Sequence, residues 1–137
     1  MAGVRLGFAV SSPDIAADLD ARLGPWAISG PALHIATEAL AGRTWQDAMR
    51  LRLKNEAARM DALLQEAGLP IAGGTTLFRL VRDNRAARLF EHLGQHGILV
   101  RIFEERPDDA RFGLPGNEEE WQRLEKALST FNQPSNV

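Results

Sequence analysis

The stretch TLFRLVRDNRAARLFEHLGQHGILVRIF, residues 76–103, decides the fold class. Thr76 to Val81 is a short run rich in strand formers. Asn84 to His96 then switches to helical spacing, with Ala86, Phe90 and Leu93 on one face. Ile98 to Phe103 returns to a strand pattern, and Arg111 to Leu114 supplies a short third strand. This rhythm predicts a small, mainly antiparallel sheet with helices on one face. Just upstream, Ile71-Ala72-Gly73-Gly74 reads as a turn. Downstream, Asn117 opens a helix and Glu120 completes a capping box with it. Trp121, Leu124, Leu128 and Phe131 are spaced as the buried stripe of that helix.

Working towards the N-terminus, Thr44 to Ala67 reads as the longest helix, ended by Gly68 and Pro70. Its apolar seam runs Trp45, Met49, Leu53, Ala57, Met60, Leu64 and Ala67, and Met49, Leu53, Met60 and Leu64 are expected to be buried. A shorter helix from Pro31 to Ala41 precedes it. Before that, Ser12-Pro13-Asp14 opens a helix whose apolar face is Ile15, Leu19 and Leu23. Val4 to Val10 reads as a buried strand. The chain is expected to divide near Gly42, into residues 1–42, an incomplete first part, and residues 43–137, a self-contained α+β unit.

Composition narrows the function classes. A length of 137 residues fits one compact domain with a core. A net charge of −2 gives no long-range attraction for nucleic acid or anionic lipid, so neither is expected as a partner. With no cysteine, disulfides and thiolate metal sites are excluded. No apolar run approaches the roughly 20 residues that span a bilayer, and no signal peptide is visible, so a cytoplasmic location is the expectation.

Few residues suggest chemistry on their own. His92 and His96 stand four apart on a predicted helix, but no Glu follows His92 in the metalloprotease arrangement; capping or solvent-facing roles are expected, and no metal site. His34 reads as a half-buried histidine. No serine occupies a nucleophile elbow, and Gly73-Gly74 matches no phosphate-binding fingerprint. Glu118-Glu119-Glu120 is the acidic first turn of a helix.

Three stretches, in order, carry a family resemblance. Ala2-Gly3-Val4-Arg5-Leu6-Gly7-Phe8 resembles the strand that follows the cofactor lysine in pyridoxal-phosphate (PLP) enzymes of the aspartate-aminotransferase fold. Gly24-Pro25-Trp26-Ala27-Ile28-Ser29-Gly30-Pro31-Ala32-Leu33 is similar to a segment of the threonine-phosphate decarboxylase branch. Arg111-Phe112-Gly113-Leu114-Pro115-Gly116, with Glu120-Trp121 and Leu124, is similar to the C-terminal signature of that branch.

The resemblance implies an α/β fold: the small C-terminal α+β domain of the fold-type-I enzymes, plus the last strand and helices of the large PLP domain. It implies a lyase that decarboxylates O-phospho-L-threonine to aminopropanol phosphate in cobalamin synthesis. A histidinol-phosphate type aminotransferase and a non-catalytic binding or dimerisation module remain as alternatives. Arg5 would bind the phosphate of the PLP cofactor and Arg111 the substrate carboxylate, while Trp26 and Ser29 would border the substrate phosphate. No catalytic residue is expected in this chain. Its two lysines, Lys54 and Lys126, fall on the polar sides of helices, and the family places the cofactor lysine before the position of Met1. The chain is therefore expected to be the C-terminal part of an enzyme that is a homodimer when complete, and inactive by itself.

Overall fold

The computed structural model describes residues 2–131. The chain divides into two compact units, Met1–Met49 and Arg50–Val137.

The first unit holds a 3-10 turn at Ala2–Val4, helix α1 (Pro13–Leu23), helix α2 (Gly30–Ala41) and the opening turns of α3 (Arg43–Glu66). Val4 to Val10 does not form the expected strand. Past the 3-10 turn it is irregular, with Arg5 at φ 56°. A strand needs a neighbour to take its N–H and C=O groups, and among the described residues no strand pairs with it. Helix α1 begins where Pro13 and Asp14 favour it, although the Ser12 side chain makes no cap bond. Ile15, Leu19 and Leu23 are all exposed, so the helical period is there without a packing partner. In α2 the Ser29 Oγ accepts from Ala32 N at 3.3 Å, which caps the helix, and Ala32 and Ala36 are buried.

The second unit continues α3 and adds β1 (Ile71–Gly74), β2 (Phe78–Arg82), α4 (Ala86–Gln95), β3 (Arg101–Phe103), β4 (Arg106–Gly113) and α5 (Glu118–Phe131). The strands form one antiparallel sheet in the order β1-β2-β4-β3. Two expectations change here. Ile71 to Gly74 is an edge strand rather than a turn, because its glycines let the backbone lie close to β2. A Cβ on Gly74 would meet the Phe78 carbonyl oxygen at 2.5 Å. The third strand is also longer than Arg111 to Leu114. Its polar start, Arg106-Pro107-Asp108-Asp109, reads as a loop but extends the ladder, since Arg82 stands opposite Asp109. Pro107 precedes the β2 pairing and costs no bond there.

One face of the sheet is covered. Val81, Ala110 and Phe112 point into a core with Met60 and Leu64 of α3, Leu89 and Leu93 of α4, and Trp121, Leu124, Leu128 and Phe131 of α5. Leu89, which the expected α4 face omits, is fully buried, while Phe90 is half-buried. The α3 seam is buried only in its second half: Ala57, Met60 and Leu64 are inside, Met49 and Leu53 half-buried, and Trp45 exposed. A 24-residue helix is about 36 Å long at 1.5 Å per residue. The longest strand, with eight residues, is about 26 Å long.

Helix ends follow the sequence. Gly68 at φ 65°, with Leu69 N donating to Leu64 O at 2.9 Å, closes α3. Asn117 Oδ1 accepts from Glu120 N at 2.9 Å, and the Glu120 carboxylate returns to Gly116 N at 2.7 Å.

Candidate functional site

The opposite face of the sheet mixes arginines with apolar side chains. Side chains alternate across a strand, so Arg111 lies on the face away from buried Ala110 and Phe112. The register sets its neighbours: Leu80 is opposite on β2 and Arg101 opposite on β3. Arg101 and Arg111 open onto a groove of about 620 Å³ also lined by Leu77, Phe78, Phe90 and Leu99. Cationic groups on apolar walls suit a small anion with an apolar part.

The two arginines are held by rings. The Arg111 guanidinium carbon lies 5.0 Å from the centre of the Phe78 ring. That of Arg101 lies 5.2 Å from the Phe103 ring, which Arg106 also faces at 4.7 Å. Among the described residues neither Arg101 nor Arg111 meets a carboxylate. The acid two residues before Arg111 on the same strand face, Asp109, is committed elsewhere. Asp109 is only 1% exposed and accepts from Arg82 at 2.7 and 3.2 Å, with Arg106 at 3.4 Å. The Arg82 hydrogen bonds hold the Asp109 carboxyl below the usual carboxylate range, against its desolvation. Sequence reading singled out Arg111 and passed over Arg101, although a lone cation inside the apolar run from Ile98 to Phe103 was a signal available in the pattern.

The remaining predicted residues belong to the first unit. Arg5 is exposed. Trp26 is 89% exposed and so anchors no turn. Ser29 serves as the α2 cap, an acceptor role that leaves its O–H free to donate. Lys54 and Lys126 are both exposed on their helices, so no described lysine stands in a cleft where PLP could be held covalently. Among the described residues, Arg5 is the cation that the family resemblance would set against the cofactor phosphate.

The histidines have structural roles. His92 Nε2 donates to the Ala127 carbonyl at 2.7 Å, tying α4 to α5, and His96 Nδ1 donates to the His92 carbonyl at 2.9 Å as α4 ends. His34 is exposed rather than half-buried, lying 3.6 Å from Glu38. Among the described residues no three metal-ligating side chains converge, and no helix is long and apolar enough to cross a membrane.

Comparison with known proteins places this geometry. The chain is 42% identical to a threonine-phosphate decarboxylase of Pseudomonas aeruginosa over 98% of its own length and 40% of that protein. It is also 42% identical to one from Sinorhizobium over 94% of its length and 38% of that protein. A histidinol-phosphate aminotransferase of Archaeoglobus fulgidus is 32% identical over 85% of the chain and 32% of its own length. The chain thus spans about 40% of the length of its threonine-phosphate decarboxylase relatives. In fold it is similar to an aminotransferase-fold protein from Burkholderia pseudomallei, with a TM-score of 0.68, 23% identity, and coverage of 82% of this chain and 35% of that one. The family description "Aminotransferase class I and II" matches residues 1–128; the chain belongs to the class I and II aminotransferase family of PLP-dependent enzymes.

Proposed function

We propose that this chain supplies the substrate-anion side of a PLP-dependent lyase that decarboxylates O-phospho-L-threonine. The observation that carries this reading is the Arg101–Arg111 pair. Like charges directly opposite on a sheet repel, and among the described residues no carboxylate relieves them. An amino-acid phosphate brings two anions to two guanidiniums, each of which can bind a planar or tetrahedral oxyanion in bidentate fashion.

In this reading Arg111 takes the α-carboxylate and Arg101 the phosphate. Leu77 and Leu99 line the same groove and receive the methyl-bearing part. For the complete enzyme the family resemblance assigns Arg5 to the cofactor phosphate and Ser29 and Trp26 to substrate binding. PLP supplies the conjugated ring that accepts the electrons of the broken bond. The part of these residues is orientation. The bond that breaks is the one held perpendicular to the ring, and a carboxylate clamped at Arg111 fixes which one that is. The family resemblance extends the proposal to aminopropanol phosphate as product, to cobalamin synthesis, and to a cytoplasmic homodimer as the complete enzyme.

A hybrid tests the proposal: residues 1–137 replace the matching part of the Pseudomonas aeruginosa threonine-phosphate decarboxylase, and CO2 release from O-phospho-L-threonine is followed. Release at a rate near that of the parent enzyme supports the lyase. Amino transfer to an oxo acid without CO2 would instead assign an aminotransferase. A folded hybrid with neither activity would favour a non-catalytic module, the reading to which the exposed Lys54 and Lys126 lend weight.

A further inference from the structure

We infer that Phe78 is the positioning residue for Arg111: its ring seats the guanidinium so that the planar N–H fork is ordered before any anion arrives. The inference rests on Arg111 as the carboxylate ligand and adds the group that aims it. An arginine on an open sheet face is a long, rotamer-rich side chain whose ordering costs entropy. The usual way to fix it is an Asp or Glu partner, but a carboxylate would occupy the donors the substrate needs. An aromatic face avoids that conflict. The five N–H donors of a guanidinium lie in its plane, and the ring takes only the face.

The backbone around Phe78 is built for this placement. Gly113 stands directly opposite Phe78 across β2 and β4. That register puts Arg111 on the diagonal from Phe78, where the guanidinium carbon is 5.0 Å from the ring centre. The turn before Phe78 is braced from several sides. Thr75 N donates to Phe78 O at 2.9 Å, and Leu77 N donates to Thr75 Oγ1 at 3.1 Å. The neighbouring Arg79 points the other way, binding the Asp61 carboxylate of α3 and the Thr75 carbonyl. Gly74 admits the close approach, since a side chain there would strike the Phe78 carbonyl. The result is a ring fixed at both turn and strand, beside a cation that no described carboxylate holds.

NMR of the full chain tests this, using the side-chain Nε–Hε group of Arg111. In the parent, this group should show ring-current-shifted protons, NOEs to the Phe78 ring and a rigid 15N relaxation signature. Phe78→Leu, which keeps the bulk, should lose the shift and the rigidity, and Phe78→Trp should keep both. Titration with O-phospho-L-threonine should then be at least about twofold weaker for Phe78→Leu than for the parent, the scale of an exposed cation–π contact. No NOE between Arg111 and the Phe78 ring in the parent would overturn the inference, whether or not the variants fold. So would an Arg111 signal in folded Phe78→Leu as rigid and as shifted as in the parent. If the parent itself shows no response to O-phospho-L-threonine, the carboxylate-ligand reading fails, while shift and relaxation still decide the role of Phe78.

Discussion

Arg101 and Arg111 are direct partners across β3 and β4, and among the described residues neither meets a carboxylate. Several other arginines of the second unit are matched with acids: Arg59 with Glu118, Arg79 with Asp61, Arg82 with Asp109, and Arg85 with Asp83. Two opposed cations on a ladder raise the energy of the empty sheet, and in the proposed reading an anionic ligand would turn that cost into affinity.

If Arg111 clamps the substrate carboxylate, charge alone will not replace it. Arg111→Lys in the hybrid enzyme keeps the cation but loses the planar fork. We expect kcat/KM for O-phospho-L-threonine to fall at least about tenfold, roughly 1.4 kcal/mol in transition-state binding. Steady-state kinetics equal to those of the parent hybrid would contradict the assignment.

The exposed positions of Lys54 and Lys126 imply that the 137-residue chain holds no PLP covalently at a defined lysine. After incubation with PLP and borohydride reduction, peptide mass mapping should find neither lysine labelled stoichiometrically. One labelled in full would require a cofactor site of its own.

The sequence was most legible where a residue's role is local. The Asn117–Glu120 cap, the Trp121 stripe and the Gly68 stop depend on neighbours within a few positions, and all three are present. Elements that depend on distant partners read less well. Ile71-Ala72-Gly73-Gly74 becomes a strand only because β2 lies beside it, and the polar Asp109 is buried only because Arg82 and Arg106 cover it. Arg101 belongs to the same class. Nothing within its own strand shows that Arg111 stands opposite.

The half-covered α3 seam sets an order of stabilities. Leu64→Ala removes a fully buried side chain and should cost about 2–5 kcal/mol. Leu53→Ala, at a half-buried position, should cost less than about half as much. Urea denaturation of both variants checks the order, and equal losses would place Leu53 in the core.

Asp109 should make part of the stability acid-sensitive. Its folded carboxyl is held below the ordinary range by Arg82, so the unfolded chain takes up the proton first as pH falls. That contribution is complete above the usual carboxylate pKa of about 3.9 and is lost on descending through the depressed folded value. Melting curves from about pH 6 to pH 2.5 should show Asp109→Asn less stable than the parent at the high end and converging with it at the low end. Curves that stay parallel would remove Asp109 from the acid response.

If Arg101 and Arg111 together read the two anions of an amino-acid phosphate, the loss of one anion or of one arginine should be felt selectively. Equilibrium binding of O-phospho-L-threonine and of L-threonine to the hybrid enzyme tests it most directly, with Arg101→Gln beside the parent. The parent should prefer the phosphorylated ligand by at least about tenfold, the worth of one charge-assisted contact. Arg101→Gln should erase most of that preference while leaving L-threonine binding nearly unchanged. A preference that survives intact in Arg101→Gln would contradict the account.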